Sequence, residues 1–180
     1  FDFFNARPVL GRFFTAGEDT TPRGADVAVL SHAFWQSEFG GRDVRGEVLL
    51  VGEVRATIIG VAPPGFAGVN DAQPPVLWIP ITTFAGSGSS NDARTYFTRY
   101  QWGWMHVLVR RKPGVTLAQA TADASQAFRR SWEAGRADDP SNPPTASAKP
   151  QVVVSALRPG AGPDPSLEAR TALWVMVVAA

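Results

Sequence analysis

The sequence predicts an α+β fold, on two runs of strand and helix signals and on the length of the chain. Residues Asp26 to Pro64 read as strand, helix and hairpin in succession, and Trp104 to Val154 read as strand, helix and strand. At 180 residues the chain has the size of one large domain or two small subdomains, long enough to bury a core.

In the first run, Val27-Ala28-Val29-Leu30 is a continuous apolar stretch suited to a strand buried on both faces. Ser31 is placed to cap a helix starting directly after it, which sets Phe34, Trp35 and Phe39 on a ridge for packing against a sheet. Gly40-Gly41 ends that helix. Glu47 to Val51 and Val54 to Val61 form two strands around Gly52-Glu53, where glycine at the first central position fits a type II′ turn. Pro63-Pro64-Gly65 stops the second strand, because proline cannot donate to a ladder, and Val76 to Ile79 between prolines reads as a short edge strand.

Ahead of this run, Phe3, Phe4, Phe13 and Phe14 are expected to pack on the sheet, and Thr15 to Ala25 is a polar loop. Glu18 and Asp19 lie in that loop without the converging oxygens that a hard cation requires, so a solvated loop is the favoured reading. Ala85 to Arg94 contains Gly-Ser-Gly-Ser-Ser-Asn-Asp, flexible in composition and lacking the Lys-Ser/Thr of a phosphate-binding Walker loop.

In the second run, Trp104 to Val109 is apolar on both faces of a strand, and Lys112-Pro113-Gly114 turns the chain. Thr116 and Gln119 form a capping-box pattern, after which Leu117, Ala120, Ala124, Ala127, Phe128 and Ser131 recur on one helical face. Gly135 to Pro150 reads as a long mobile loop, and Val152-Val153-Val154 as the next strand, which makes a βαβ or split βαβ unit.

Tyr96, Phe97, Tyr100 and Trp102 crowd together just before this run. Exposed, such side chains form a partner or ligand surface, since Tyr and Trp join a large apolar area to a polar handle. The plainer alternative has them filling the seam between two subdomains.

Composition narrows the function. A net charge of +1 with scattered arginines argues against nucleic acid. The absence of cysteine excludes disulfides, thiolate metal sites and cysteine nucleophiles. No active site assembles: His32 and His106 fall in different elements, and neighbouring Ser31 and His32 at a helix start point in different directions. No cofactor or metal is expected, and no Walker sequence occurs. Thr171 to Ala180 is ten residues without a charge, either a buried terminal element or the first half of a transmembrane helix.

Several short motifs occur in one order: Gly11-Arg12-Phe13-Phe14, Glu18-Asp19, Val27 to Ser31, Phe34-Trp35, Phe39-Gly40-Gly41, Gly46 to Gly52, Ile58 to Phe66 and Leu77-Trp78-Ile79-Pro80. This series resembles the MacB-type periplasmic core domain, the extracytoplasmic part of a class of ABC transporter permeases in the MacB/FtsX-like family. The resemblance covers the first half of the chain closely and the second half more loosely. It implies two small α/β subdomains, with a strand-helix-hairpin lobe inserted in a porter-like split βαβ lobe. On this chain the expected map is an N-terminal packing segment and loop at 1–25, the inserted lobe at 26–100, the porter-like lobe at 101–157, a connector at 158–170, and the start of a truncated transmembrane helix at 171–180.

The resemblance also implies a non-catalytic role at a bacterial inner membrane, with the domain facing the periplasm or cell exterior. There it would transmit conformational change and contact substrate or adaptor for export. The implied partners are a cytoplasmic ATPase outside this chain, a second copy or paired permease half, a periplasmic adaptor, and the membrane at the C-terminal end. A free-standing exported module, gripping a glycan or apolar ligand with the aromatic residues, is the alternative.

Overall fold

The computed structural model describes residues 1–68, 74–100, 107–155 and 176–179. The chain forms two compact units, Phe1–Thr98 and Arg99–Ala180, so the division falls inside the aromatic stretch. Each unit has its own sheet, and the fold class is mixed α+β.

The first unit is built on β2 (Val27–Leu30), α1 (His32–Phe39), β3 (Val48–Val51) and β4 (Val54–Val61), with β1 (Leu10–Gly11) before them and β5 (Leu77–Trp78) after. The sheet order is β1-β4-β2-β5, and β3 also pairs with β4. β1 and β3 share one edge of β4: β1 lies opposite Gly60–Val61 and β3 opposite Val54–Thr57. β2 runs parallel to β4 along the other edge, and the chain between them, α1 and β3, supplies the crossover that parallel strands require.

Local chemistry accounts for these boundaries. Ser31 Oγ accepts the Phe34 N–H at 3.2 Å and starts α1. Gly40, at φ 60°, closes it by donating its N–H to Gln36 O at 3.1 Å. Gly52 has a φ of 60°, the positive value that the hairpin turn needs at its first central position. Ala28, Val29 and Leu30 have no exposed surface, as a strand buried on both faces requires. Phe34, Trp35 and Phe39 pack on the cluster of Leu30, Val44, Ile58 and Val61.

Two short helices, α2 (Ile81–Gly86) and α3 (Asn91–Thr95), occupy most of the stretch that the composition suggested would be a flexible loop. Tertiary contacts supply what the local sequence lacks. Pro80 cannot cap α2, and Asp19 does so from 63 residues away, accepting from Thr82 N at 3.0 Å and Thr82 Oγ1 at 2.6 Å. Ser90 Oγ accepts the Ala93 N–H at 3.1 Å and starts α3.

The second unit contains β6 (Val107–Arg110), α4 (Leu117–Asp138), α5 (Thr145–Ala148), β7 (Val153–Val154) and β8 (Met176–Ala179). β8 lies between β6 and β7 and is parallel to both. Thr116 and Gln119 form the expected capping box, with Thr116 N donating to Gln119 Oε1 at 2.8 Å and Gln119 N to Thr116 Oγ1 at 3.2 Å.

Ala120, Ala124 and Phe128 of α4 pack on Val152 and Val154, as the helical spacing predicts. Leu117, Ala127 and Ser131, expected on the same face, are exposed, and Ser125 and Gly135 are buried in their place. The stripe is turned toward Ser125 because its hydroxyl bonds to the buried backbone of Val152.

α4 also continues through Gly135, where the sequence suggested that a long mobile loop begins. Trp132 Nε1 donates to Pro143 O at 3.0 Å and Arg136 Nε to Asn142 O at 3.1 Å, which ties the following turn back onto the helix. Of the segment expected to open a membrane helix, residues 176–179 are extended here as β8. The rest of that segment lies outside the described residues, as do the connector at 158–170, Trp102 and His106.

Candidate functional site

The aromatic candidates divide between the two units. α3 leads into a 3-10 turn, Tyr96–Thr98, which buries Tyr96 to 8% exposure and leaves Phe97 44% exposed. Their rings meet edge to face at 5.4 Å. Burial raises the Tyr96 phenol above its ordinary value, and the nearby Asp19 carboxylate adds to the effect. Asp19 therefore both caps α2 and adds its negative charge to the surroundings of Tyr96.

Tyr100, 53% exposed, belongs to the second unit. It lies against α4 at Gly135, where a β-carbon would come 2.8 Å from Tyr100 Cβ. Phe97 and Tyr100 are thus open to solvent, whereas Tyr96 is in the interior of its own unit. Trp102 lies outside the described residues.

A second aromatic group sits in the first unit and is larger. Phe1 stacks on Phe13 at 3.9 Å and meets Phe14 at 5.3 Å, Phe66 at 5.6 Å and Trp78 at 5.6 Å. All five rings are only partly buried. The sequence placed Phe13 and Phe14 on the sheet, but Phe1, Phe66 and Trp78 converge through chain segments far apart in number. The available signal was an aromatic directly after Pro63-Pro64-Gly65 and another within a two-residue strand, neither of which names its partner.

The polar residues that invited a chemical reading have structural roles. Ser31 is buried with its hydroxyl engaged at the start of α1, and His32 meets Trp35 edge to face at 5.5 Å. Glu18 takes a bidentate ion pair from Arg12, at 2.7 Å on both arms, and accepts the Thr15 N–H at 2.8 Å. These bonds, chiefly the one from Arg12, lower the Glu18 carboxyl to about 2. Among the described residues no group of His, Asp or Glu is arranged to hold a metal ion, and no helix is long and apolar enough to cross a membrane.

The fold is that of a mixed α+β domain in two units, and comparison with known proteins supplies its class, an extracytoplasmic domain of an ABC transporter permease. Residues 1–127 match the MacB-like periplasmic core domain, and the chain belongs to that family. Over 79 residues, 43% of its length, it is 37% identical to the macrolide export ATP-binding/permease protein MacB of Chlorobaculum tepidum. The chain spans 12% of the length of that relative. Among solved structures, the periplasmic region of MacB from Actinobacillus actinomycetemcomitans is similar at a TM-score of 0.49 and 15% identity, over 72% of this chain and 51% of that one.

Proposed function

We propose that this chain works mechanically as the periplasm-facing part of a bacterial inner-membrane permease, passing on movements driven by ATP hydrolysis elsewhere and performing no chemistry itself. The match of residues 1–127 to the MacB-like periplasmic core domain carries the proposal. Two compact units, each with its own sheet, support it, since mechanical transmission calls for stiff elements joined at a place that can exist in two arrangements. In this reading the lobe at 26–100 is inserted in a porter-like lobe at 101–157, a connector at 158–170 follows, and 171–180 leads toward the membrane. Phe97 and Tyr100 would meet substrate or a periplasmic adaptor, and the ATPase and a second permease half would complete the machine.

The test uses the intact permease with its ATPase in lipid nanodiscs. The sequence has no cysteine, so Arg55→Cys in one unit and Arg130→Cys in the other, both exposed, accept a pair of spin labels selectively once other cysteines are removed. The distance distribution between the labels is expected to shift between the nucleotide-free and ATP-bound states. Identical distributions in an actively transporting sample, or turnover of a substrate by this chain alone, would sink the proposal.

A further inference from the structure

With six and five residues, α2 and α3 fall far short of the roughly 12–15 at which a free helix becomes even marginally stable in water. Tertiary contacts must hold them. Among the described residues, the side-chain bonds that reach α2 from elsewhere in the chain come from one loop, Thr15 to Ala25. Oδ1 of Asp19 accepts from both Thr82 N and Thr82 Oγ1, and Thr83 Oγ1 donates to Ala25 O at 2.7 Å. Both threonines are buried. Backbone approach closes the rest of the contact: a β-carbon on Gly86 would lie 2.6 Å from Pro22 O, and one on Gly24 would overlap Thr82 Oγ1.

The loop is itself tied to the sheet. Glu18, next to Asp19, is held by both arms of Arg12 and by the Thr15 N–H, and Arg12 directly follows Gly11 of β1. Fixed groups thus run from the sheet through Glu18 and Asp19 to α2, and the chain continues through α3 to the buried Tyr96. It passes into the second unit directly after Thr98.

We infer that Asp19 is a latch that makes residues 81–98 ride with the sheet of the first unit as one body, so that movement reaches the second unit at Thr98–Arg99 undiminished. This rests on the mechanical role proposed above and adds the residue on which transmission turns. Without the latch, Gly86-Ser87-Gly88-Ser89-Ser90 has the composition of a flexible linker, and its backbone rotations would absorb the movement. Asp19 is thus a positioning residue that acts through α2. It works as a hydrogen-bond acceptor: because one oxygen takes both bonds, an asparagine amide oxygen can replace it and an alanine cannot.

The test uses the intact permease with its ATPase in lipid nanodiscs, with other cysteines removed. Arg55→Cys on β4 and Arg94→Cys on α3 are both exposed and both in the first unit, so a spin-label pair there reads the latch alone. The expected distribution is narrow and the same with and without ATP. Asp19→Ala should broaden it, and Asp19→Asn should restore the parent width. Thr82→Val removes one of the two donors and keeps the side-chain shape, so an intermediate broadening is expected, which reports even if Asp19→Ala fails to fold. In the Asp19→Ala variant the ATP-driven shift between labels at Arg55→Cys and Arg130→Cys should shrink by about half or more while ATP hydrolysis continues.

A parent distribution within the first unit that changes with ATP overturns the inference. So does an unbroadened distribution in both Asp19→Ala and Thr82→Val, an Asp19→Asn variant as loose as Asp19→Ala, or a full shift between the units in Asp19→Ala. If the parent shows no shift between the units, the mechanical role is what fails, and the pair within the first unit still decides whether Asp19 is a latch.

Discussion

Gly11 and Gly60 lie opposite each other in the pairing of β1 with β4, and neither position has room for a β-carbon. A β-carbon on Gly60 would overlap Arg12 O, and one on Gly11 would overlap Ile59 O. Gly11 also has a φ of 65°, which a side chain disfavours. The close approach holds β1 on the sheet, and Phe13 and Phe14, just beyond it, reach Phe1. Gly60→Ala is expected to cost about 2–3 kcal/mol, measured by urea unfolding, and to weaken the near-ultraviolet circular dichroism of the aromatic group. A variant as stable as the parent would show that β1 is not held by this approach.

Ser125 fastens α4 to the strand beside it. Its hydroxyl accepts the Val152 N–H at 3.0 Å and donates to Val152 O at 3.3 Å, both in the interior. Ser125→Ala leaves two buried backbone groups without that partner, and a loss of about 1–3 kcal/mol is expected. Hydrogen exchange at the Val152 amide should accelerate more than exchange in β4. Uniform acceleration throughout both units would count against the local role.

Asp19 affects Tyr96 through charge. A carboxylate beside a phenol opposes the second negative charge, so Asp19→Asn should lower the Tyr96 pKa yet leave it above the ordinary 10.0, because burial is the larger cause and persists. The chain has two tyrosines, so ultraviolet titration in a Tyr100→Phe background isolates the phenol. A rise in pKa, or none, would contradict the arrangement. Asp19→Ala also removes the cap on α2 and is expected to cost about 1 kcal/mol in addition.

The ion pair of Arg12 with Glu18 gives acid sensitivity of a stated sign. The folded chain lowers the Glu18 carboxyl from 4.5 to about 2, so it binds that proton less readily than the unfolded chain does. The contribution is complete above about pH 4.5 and is lost as pH falls toward 2. With the Arg12 side of the pair half-exposed and screened by solvent, it amounts to about 0.5–1 kcal/mol at neutral pH. Arg12→Gln should flatten the fall in stability between those pH values, followed by urea midpoints. A slope equal to that of the parent would refute the coupling.

Legibility in the sequence followed the range of the interactions. Ser31, Gly40, Gly52 and the Thr116–Gln119 pair act within a few residues, so the ends of α1, the β3–β4 hairpin and the start of α4 could be read directly. α2 could not, because its cap is Asp19, distant in number. The end of α4 was misplaced for a related reason: glycine inside a helix ordinarily signals a stop, but Gly135 is kept helical where Tyr100 leaves no space for a side chain. Among the candidate aromatics, local composition showed that Tyr96, Phe97 and Tyr100 were close in sequence but not that burial would separate the first from the other two.

By itself the sequence determined the succession of β2, α1, β3 and β4 and of β6, α4 and β7, the caps and turns at Ser31, Gly40, Gly52 and Thr116–Gln119, and the motif series that relates the chain to its family. Tertiary structure alone decided which face of α4 is buried and which aromatics gather around Phe1. Caps and turns are satisfied by neighbours a few bonds away. Burial and strand pairing are satisfied by whichever surfaces the folded chain brings together, and no local pattern names them.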